Sequence, residues 1–427
     1  MLDIKLIREN PKLVENNLKK RGNKENIKML RELIISDKKR RETIRSVEKL
    51  KHRRNNLTRE IAKLKAEKKD ASKKLNEVKK IIEKIKELDT ELRKLNEKCN
   101  FILMRLPNML HESVPIGKDD SENVEIRRWG RPPKFDFTPN NHIDILQNLG
   151  LIDEERAAKV SGKGFFYLRN QLVMLDHAIL KYATDFLVKK GYALIEPPFM
   201  MRKKPYEGVT DLSDFEDVMY KIEGDDLYLI ATSEHPIASM FMNETLNANE
   251  LPIKLVGISP CFRKEIGTHG KYTKGLFRMH QFNKVEQFIF CRPEQSWELH
   301  EELQKNAEML YQGLGLHYRV VNVCTGDIGN IAAKKYDIEF WMADNKFREI
   351  GSNSNCTDYQ ARRLNIRYRE KEGQAPKGFV HTLNNTALAT SRTMIAIIEQ
   401  YQQKDGSVII PKALRPYMNG MKKIEKR

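Results

Sequence analysis

Several things are missing from this chain of 427 residues, and each absence narrows its class. No run of roughly 18 apolar residues occurs, so no segment reads as a membrane-spanning helix. Residues 1–20 carry charge throughout, without the apolar stretch of a secretory leader. Cysteine is sparse: Cys99, Cys261, Cys291, Cys324 and Cys356 stand far apart, are odd in number and include no CxxC pair. That distribution argues against a disulfide framework, offers no local zinc spacing and fits a reducing cytoplasm. Neither GxGxxG nor GxxxxGK followed by Ser or Thr is present, which disfavours the nucleotide folds those motifs mark.

The N-terminal quarter is defined by absences too. Residues 28–105 contain neither proline nor glycine, and their first aromatic is Phe101. Apolar residues at Ile81, Ile85, Leu88, Leu92, Leu95, Cys99 and Ile102 step by 4, 3, 4, 3, 4, 3, the spacing of a coiled-coil seam. Ile44, Val47, Leu50, Leu57, Ile61 and Leu64 form a similar stripe, interrupted by the polar Arg54. The repeat pauses at Lys68-Lys69-Asp70-Ala71-Ser72-Lys73-Lys74. This predicts an antiparallel helical hairpin with its tip near 67–74; the alternative is one continuous helix, rising about 1.5 Å per residue. Residues 1–27 read as a helical lead-in, with Pro11 in a first turn and Gly22 as a stop.

Positive charge is in surplus. Lys and Arg total 77 against 59 Asp and Glu, a net charge of +18 that favours a polyanionic partner such as nucleic acid. At the tip Lys63, Lys65, Lys68, Lys69, Lys73, Lys74, Lys79 and Lys80 face only Glu60, Glu67, Asp70 and Glu77. Such a face is either a solvated helix surface or an arm that touches a phosphate backbone. With no aromatic nearby it lacks a base-stacking platform.

Residues 106–165 are punctuated by Pro107, Pro115, Gly117, Gly130, Pro132, Pro133 and Pro139, and mark the passage to a globular body. Helical pattern returns over 143–159 and 171–190. Strands are predicted at 227–231, 253–258, 287–291, 318–324 and 336–342, and helices at 294–313 and 386–402. The strands are not separated by regular crossover helices, so an antiparallel-rich α+β body fits better than a doubly wound sheet.

The chemistry-bearing residues lie in that body. Arg263 ends the apolar stretch LVGISPCFR, where a guanidinium can grip phosphate or carboxylate, and Glu265 follows it. His269 to Gly275 reads as a hairpin loop with cationic lysines. Arg278, His280, Phe282 and Glu286 share one alternation face: a cation, a ring for a base and an acid. Glu349 precedes the oxygen-rich run Gly351-Ser352-Asn353-Ser354-Asn355, which suits a hard cation such as Mg²⁺ or else a capped polar loop. Asn384 to Arg392 reads as the opening of an apolar helix whose lone arginine calls for an anionic partner.

Together these features resemble the seryl-tRNA synthetases, class II aminoacyl-tRNA synthetases, of the standard archaeal or eukaryote-like type. The resemblance runs from the opening MLDIKLIRENP through the hairpin to the FRKE and RMHQFNKVE stretches. It implies a class II catalytic domain, an antiparallel sheet flanked by helices, behind an N-terminal coiled-coil hairpin. The implied domains are 1–110 for tRNA binding, 111–170 as connector and start of the body, and 171–427 for catalysis. It further implies a cytoplasmic homodimer joined through a helix and strand at about 178–198. L-Serine, ATP and tRNA(Ser) are the implied substrates, with tRNA(Sec) as a second candidate acceptor. Arg263 would hold the serine carboxylate and the ATP α-phosphate, and Glu286 the ammonium, with Glu234 in support. Thr232, Thr386 and Asn384 would line the serine pocket. Phe282 would stack on adenine and Met279 would meet its edge. Arg278 and Arg392 would grip the γ-phosphate end, and Glu265 belongs to the same ATP set. Glu349 and Ser352 would coordinate Mg²⁺; no zinc is expected, because Glu286 fills the zinc-free position. The arm, with Lys63, Lys68, Lys69, Lys73 and Lys74, would grip the tRNA bound to the other subunit. Gly351, Asn353 and Asn385 depart from the family pattern, whose run after the glutamate is closer to SSCSN.

Three rival readings fit the sequence less well. A catalytically altered paralogue or RNA-binding protein on this fold would lose the arm or motif residues, and both are kept. A synthetase for threonine or proline would carry a C-terminal anticodon domain, yet only about 25 residues follow the third motif. A structural coiled-coil protein would leave Arg263, Arg278, Glu349 and Arg392 without a role.

Overall fold

The computed structural model describes residues 1–211, 218–265 and 275–426. The chain forms two compact units, Met1–Pro107 and Asn108–Arg427.

In the first unit, short helices Ile4–Glu9 and Pro11–Lys19 precede α1 (Lys24–Ala66) and α2 (Ser72–Leu103). The chain reverses between them, so the hairpin is the observed form and its tip falls within the expected window. Val47, Ile81 and Ile85 make the seam's buried centre, flanked by Leu50, Leu57 and Leu88. Opposite charges cross it: Lys39 to Glu91 at 2.6 Å, Lys98 to Glu32 at 2.6 Å, Arg53 to Glu77 and Lys74 to Glu60. At the base, Asp37 is buried and bonded by Arg8 at 2.7 and 2.8 Å and by Arg40 at 2.9 Å. Burial alone would raise its carboxyl, but these guanidinium bonds outweigh that and hold it down to about 2.

The second unit is built on a sheet of eight described strands. In chain order they are β1 (Val124–Trp129), β2 (Ala193–Ile195), β3 (Ile253–Phe262), β4 (Gln281–Cys291), β5 (Tyr318–Asn322), β6 (Lys334–Trp341), β7 (Phe347–Asn355) and β8 (His381–Ala389). Their order across the sheet is β1-β5-β6-β7-β8-β4-β3-β2. Every pair is antiparallel except β2 with β3. Helices α3 (Gln171–Lys189), α4 (Ser296–Gly313) and α5 (Thr390–Gln400) bring Leu175, Ile179, Leu303, Leu310, Ile395 and Ile398 into one core with Val285, Ile289, Ile338 and Leu388 of the sheet.

Three sequence expectations need correction. The helix expected over 386–402 begins only at Thr390, because His381–Ala389 is a central strand between β4 and β7. Pairing with β4, which runs out to Ala389 opposite Lys284, overrides the helix preference of Ala387, Leu388 and Ala389. The helix expected over 143–159 breaks at Gly150, whose φ of +69° ends the first helix. A two-residue strand intervenes, and a second helix starts at Glu154 with Asp153 as its cap. The oxygen-rich run after Glu349 is not a capped loop but the body of β7. Residues 269–274 of the expected hairpin loop lie outside the described residues.

Candidate active site

A cavity of about 380 Å³ opens over the middle of the sheet. Strand alternation sets its floor: side chains two apart on one strand share a face. β4 thereby presents Phe282, Lys284 and Glu286, and β8 presents Asn384 and Thr386 beside them. Glu286 and Thr386 are direct cross-strand partners, and the Thr386 hydroxyl donates to Glu286 Oε2 at 3.2 Å. Lys284 Nζ lies 2.5 Å from the same oxygen, with both side chains buried.

The rim residues 231–235 close one end of the cavity. The Thr232 hydroxyl accepts the Glu234 N–H at 3.1 Å. Glu234 Oε1 accepts from Asn384 at 3.1 Å and from Gln360 at 3.2 Å. Burial, and then the neighbouring Glu286 charge, push the Glu234 carboxyl up to about 7. Burial and the nearby Lys284 and Arg263 push His235 down to about 3, so its ring is neutral at ordinary pH, and its Nδ1 lies 3.1 Å from the Tyr206 hydroxyl. Arg263 follows β3, donates to the Ala231 carbonyl at 3.3 Å and lies 5.4 Å from the Phe282 ring centre.

The opposite end is made by β6, β7 and α5. Arg392 donates to the Glu349 carbonyl at 2.9 Å, lies 3.7 Å from its carboxylate and covers the Phe277 ring at 4.9 Å. The Ser352 hydroxyl donates to Glu349 Oε1 at 3.2 Å. Burial would raise Glu349, but Arg392 and Lys335 outweigh it and hold the carboxyl below its usual range. Lys335 also lines this end and lies 3.6 Å from Asp337.

Of the residues singled out in the sequence, Thr232, Glu234, Arg263, Phe282, Glu286, Glu349, Ser352, Asn384, Thr386 and Arg392 line this one cavity. Met279 lines an adjoining cavity of about 210 Å³, which shares Phe282 with the first. Arg278 donates to Glu265 at 3.4 Å; Glu265 lies past the end of β3 in the left-handed region, at φ +47°. His280 turns its ring to the Arg263 carbonyl. The sequence reading missed Lys284 and Lys335. Lys284 could have been found, since it stands midway between Phe282 and Glu286 on the same alternation. Lys335 carries no local signal; only the folding of β6 beside β7 brings it to Glu349.

The departures Asn353 and Asn385 serve the core. Asn353 donates to the His300 carbonyl at 2.9 Å and to Gln304 at 3.2 Å. Asn385 accepts from Gln287 at 2.6 Å, and Gln287 accepts from Asn306 at 3.0 Å. Both networks tie the sheet to α4.

The cavity therefore joins one arginine and two buried carboxylates to a separate basic and acidic end, an arrangement for a small zwitterion beside a polyphosphate. Comparison with known proteins agrees. Residues 1–110 match the family model for the seryl-tRNA synthetase N-terminal domain, and residues 218–401 that for the class II tRNA synthetase core domain (G, H, P, S and T). A serine–tRNA ligase of Methanocella arvoryzae is 54% identical over 99% of both chains. The crystal structure of seryl-tRNA synthetase from Pyrococcus horikoshii complexed with ATP superposes with a TM-score of 0.96 at 49% identity, covering all of both chains. The cytoplasmic serine–tRNA ligase of Naegleria fowleri in complex with AMP gives 0.91 at 36% identity, over all of this chain and 99% of that one. The chain belongs to the seryl-tRNA synthetase family of class II aminoacyl-tRNA synthetases.

Proposed function

We infer that this cavity condenses L-serine with ATP to seryl-adenylate and passes the seryl group to the 3′ end of tRNA(Ser), with tRNA(Sec) as a further candidate acceptor. The observation that carries the reading is the placement of Arg263, Glu286, Glu234 and Thr386 around one cavity. Arg263 is placed for the serine carboxylate and the α-phosphate, and Glu286 and Glu234 for the ammonium. Thr232, Thr386 and Asn384 are placed for the hydroxyl. A site built to pair that hydroxyl rejects alanine, because its buried polar groups would be left without partners. Phe282 offers its face to adenine, with Met279 at the edge. Arg392, and Arg278 with Glu265 beside it, serve the triphosphate.

Glu349 and Ser352 fit a hard divalent cation such as Mg²⁺: a carboxylate held below its usual range beside a hydroxyl oxygen, in reach of the phosphate end. When bound, that ion neutralises charge on the phosphate oxygens. The serine carboxylate oxygen bonds to the α-phosphorus while the bond to pyrophosphate breaks. The carboxylate is already ionised, so no side chain needs to take a proton in this step. Arg263 stays opposite the growing oxygen charge as a fixed cation, which is the catalytic contribution of the chain itself. The terminal ribose hydroxyl of the tRNA then attacks the seryl carbonyl, and AMP leaves.

The hairpin arm, with Lys63, Lys68, Lys69, Lys73 and Lys74 near its tip, is proposed as the tRNA grip. Exposed Val188 of α3 and Leu194 of β2 support α3 and β2 as the homodimer surface. Five free cysteines suit a reducing cytoplasm. ATP–pyrophosphate exchange with each amino acid separately tests the reading. Serine alone should drive exchange, and exchange driven by another residue in preference to serine overturns it.

A further inference from the structure

Arg263 stands where the pairing of β3 with β4 ends. The regular register runs as far as Phe262 opposite Gln281. The next pair would be Arg263 with His280, and a complete antiparallel pair of this kind exchanges two N–H···O bonds. One is present: the Arg263 N–H donates to the His280 carbonyl at 3.0 Å. The other is replaced. The His280 N–H turns away to the Gly164 carbonyl at 3.1 Å, and the Arg263 carbonyl accepts from His280 Nδ1 at 2.8 Å. A carbonyl oxygen only accepts, so Nδ1 carries the proton.

The imidazole is held from several sides. The Tyr220 hydroxyl lies 2.9 Å from the same nitrogen, where it is a second acceptor of the one Nδ1 proton and fixes the turn of the ring. Phe165 stacks on the ring, with centres 5.0 Å apart and planes 25° from parallel. Gly164, at φ +85°, passes so close that a Cβ there would come within 2.5 Å of Cδ2 and 2.7 Å of Nε2. Both the space beside the ring and the backbone conformation therefore call for glycine.

We propose that His280 is a positioning residue for serine activation: its imidazole takes over the ladder bond that the backbone gives up, and so fixes Arg263 at the cavity rim. The proposal rests on the reading that Arg263 meets the reacting carboxylate and phosphate. The chain must leave the ladder between residues 263 and 280, and at that point an arginine on a freed strand end would swing. A bond from His280 to its carbonyl, added to the bond from its own N–H, holds both polar groups of the Arg263 backbone. The reaction is sensitive to such placement, since an error of about 1 Å in a catalytic group costs up to about 100-fold in rate.

The test compares the unaltered protein with His280→Asn, His280→Gln, Gly164→Ala and Tyr220→Phe in ATP–pyrophosphate exchange, with the melting temperature of each. Asparagine places an amide N–H near the position of Nδ1, whereas glutamine carries it one bond further. His280→Gln and Gly164→Ala should lower kcat/KM at least about tenfold, mostly in kcat, with tRNA affinity unchanged. His280→Asn should stay within about threefold of the unaltered protein, and Tyr220→Phe should lose about threefold in kcat. Full kcat in His280→Gln, or His280→Asn as impaired as His280→Gln, overturns the proposal. If the glutamine or alanine variant melts below the assay temperature, Tyr220→Phe decides, and undiminished kcat there overturns it. Serine-dependent exchange by the unaltered protein is a separate readout, so failure of the functional reading is distinguishable from failure of the latch.

Discussion

Lys284 Nζ lies 2.5 Å from Oε2 of Glu286, and both side chains are closed off from solvent. The carboxylate proposed for the substrate ammonium is therefore already paired within the chain. A serine ammonium would have to share it, and Glu234 on the rim supplies a second negative charge only once its raised carboxyl is ionised.

Glu286→Gln keeps the shape and removes the charge. Lys284 then loses its nearest partner, and an unpaired buried cation is strongly unfavourable. The serine KM should rise by about 50-fold or more, with the KM for ATP changed far less. The variant should also melt earlier. Equal rises in both KM values would place Glu286 outside the amine subsite.

Glu234 should give the proposed amine subsite a pH dependence. Its folded-state value of about 7 lies above the ordinary 4.5, so the fold holds the proton more tightly than the unfolded chain. Its contribution to stability is then full below the ordinary value and declines as pH rises through that window. An arriving ammonium joins Lys284 and Arg263 in favouring the ionised form, against Glu286. Serine binding in the window should release a proton, and serine KM should fall as pH rises toward about 7, then level off. Calorimetry in two buffers of different ionisation enthalpy measures the release; Glu234→Gln should abolish it.

Gly351 leaves room for Thr386, the residue proposed for the serine hydroxyl. A Cβ at this position would stand 3.1 Å from Thr386 Cβ and 3.2 Å from its Cγ2. Thr386 is held by Glu286, so it has little room to yield. Gly351→Ala should raise serine KM by about three- to tenfold and leave ATP binding intact, readable in the same exchange assay.

That these pieces meet at one cavity was legible because each carries its own chemistry: Arg263 at a strand end, Phe282 and Glu286 on one alternation, Arg392 at the start of an apolar helix. The hairpin was legible because its apolar period is long and pauses once. What was not legible depended on neighbours in space. Ala387-Leu388-Ala389 favours helix locally, and only the pairing with β4, out to Ala389 opposite Lys284, makes it strand. Asn353 and Asn385 look like site polar groups, yet Asn353 bonds to α4 and Asn385 reaches α4 through Gln287 of β4, partners dozens of residues away. His280 shares the alternation of Phe282 in the sequence, but it lies just before β4 begins, where its ring is free to turn to Arg263.

Asp37 should govern the acid stability of the first unit. Against burial, Arg8 and Arg40 hold it ionised down to about 2, and Arg41 lies 3.1 Å from the same carboxylate. A depressed carboxyl contributes stability above its ordinary value of 3.8 and loses it as pH falls toward 2. Asp37→Asn should cost about 2 kcal/mol at neutral pH and flatten the loss of stability over that acid range. Denaturant melts of the full chain at several pH values, followed by helical circular dichroism, check this. An unchanged acid limb would remove Asp37 as its cause.

The arm can be separated from the chemistry, because its two helices come together at a natural seam. Arg40 donates to Asn96 at 3.2 Å, and Lys39 pairs with Glu91 at 2.6 Å. Deleting residues 41–95 therefore joins ends that already lie side by side. The shortened protein should keep serine-dependent ATP–pyrophosphate exchange within about twofold and lose at least about 100-fold in kcat/KM for tRNA. Near the tip, Lys63, Lys68 and Lys73 are exposed, whereas Lys69 pairs with Glu67 at 2.7 Å and Lys74 with Glu60. Replacing the first three by glutamine should weaken tRNA binding and reduce the slope of log affinity against log salt by about 2, because each lost phosphate contact releases fewer counterions. The same change at Lys69 and Lys74 should matter less, since those charges are partly spent within the arm. If deletion leaves tRNA charging unimpaired, or the salt slope does not move, the lysine surplus at the tip is a solvated surface and the tRNA is held elsewhere.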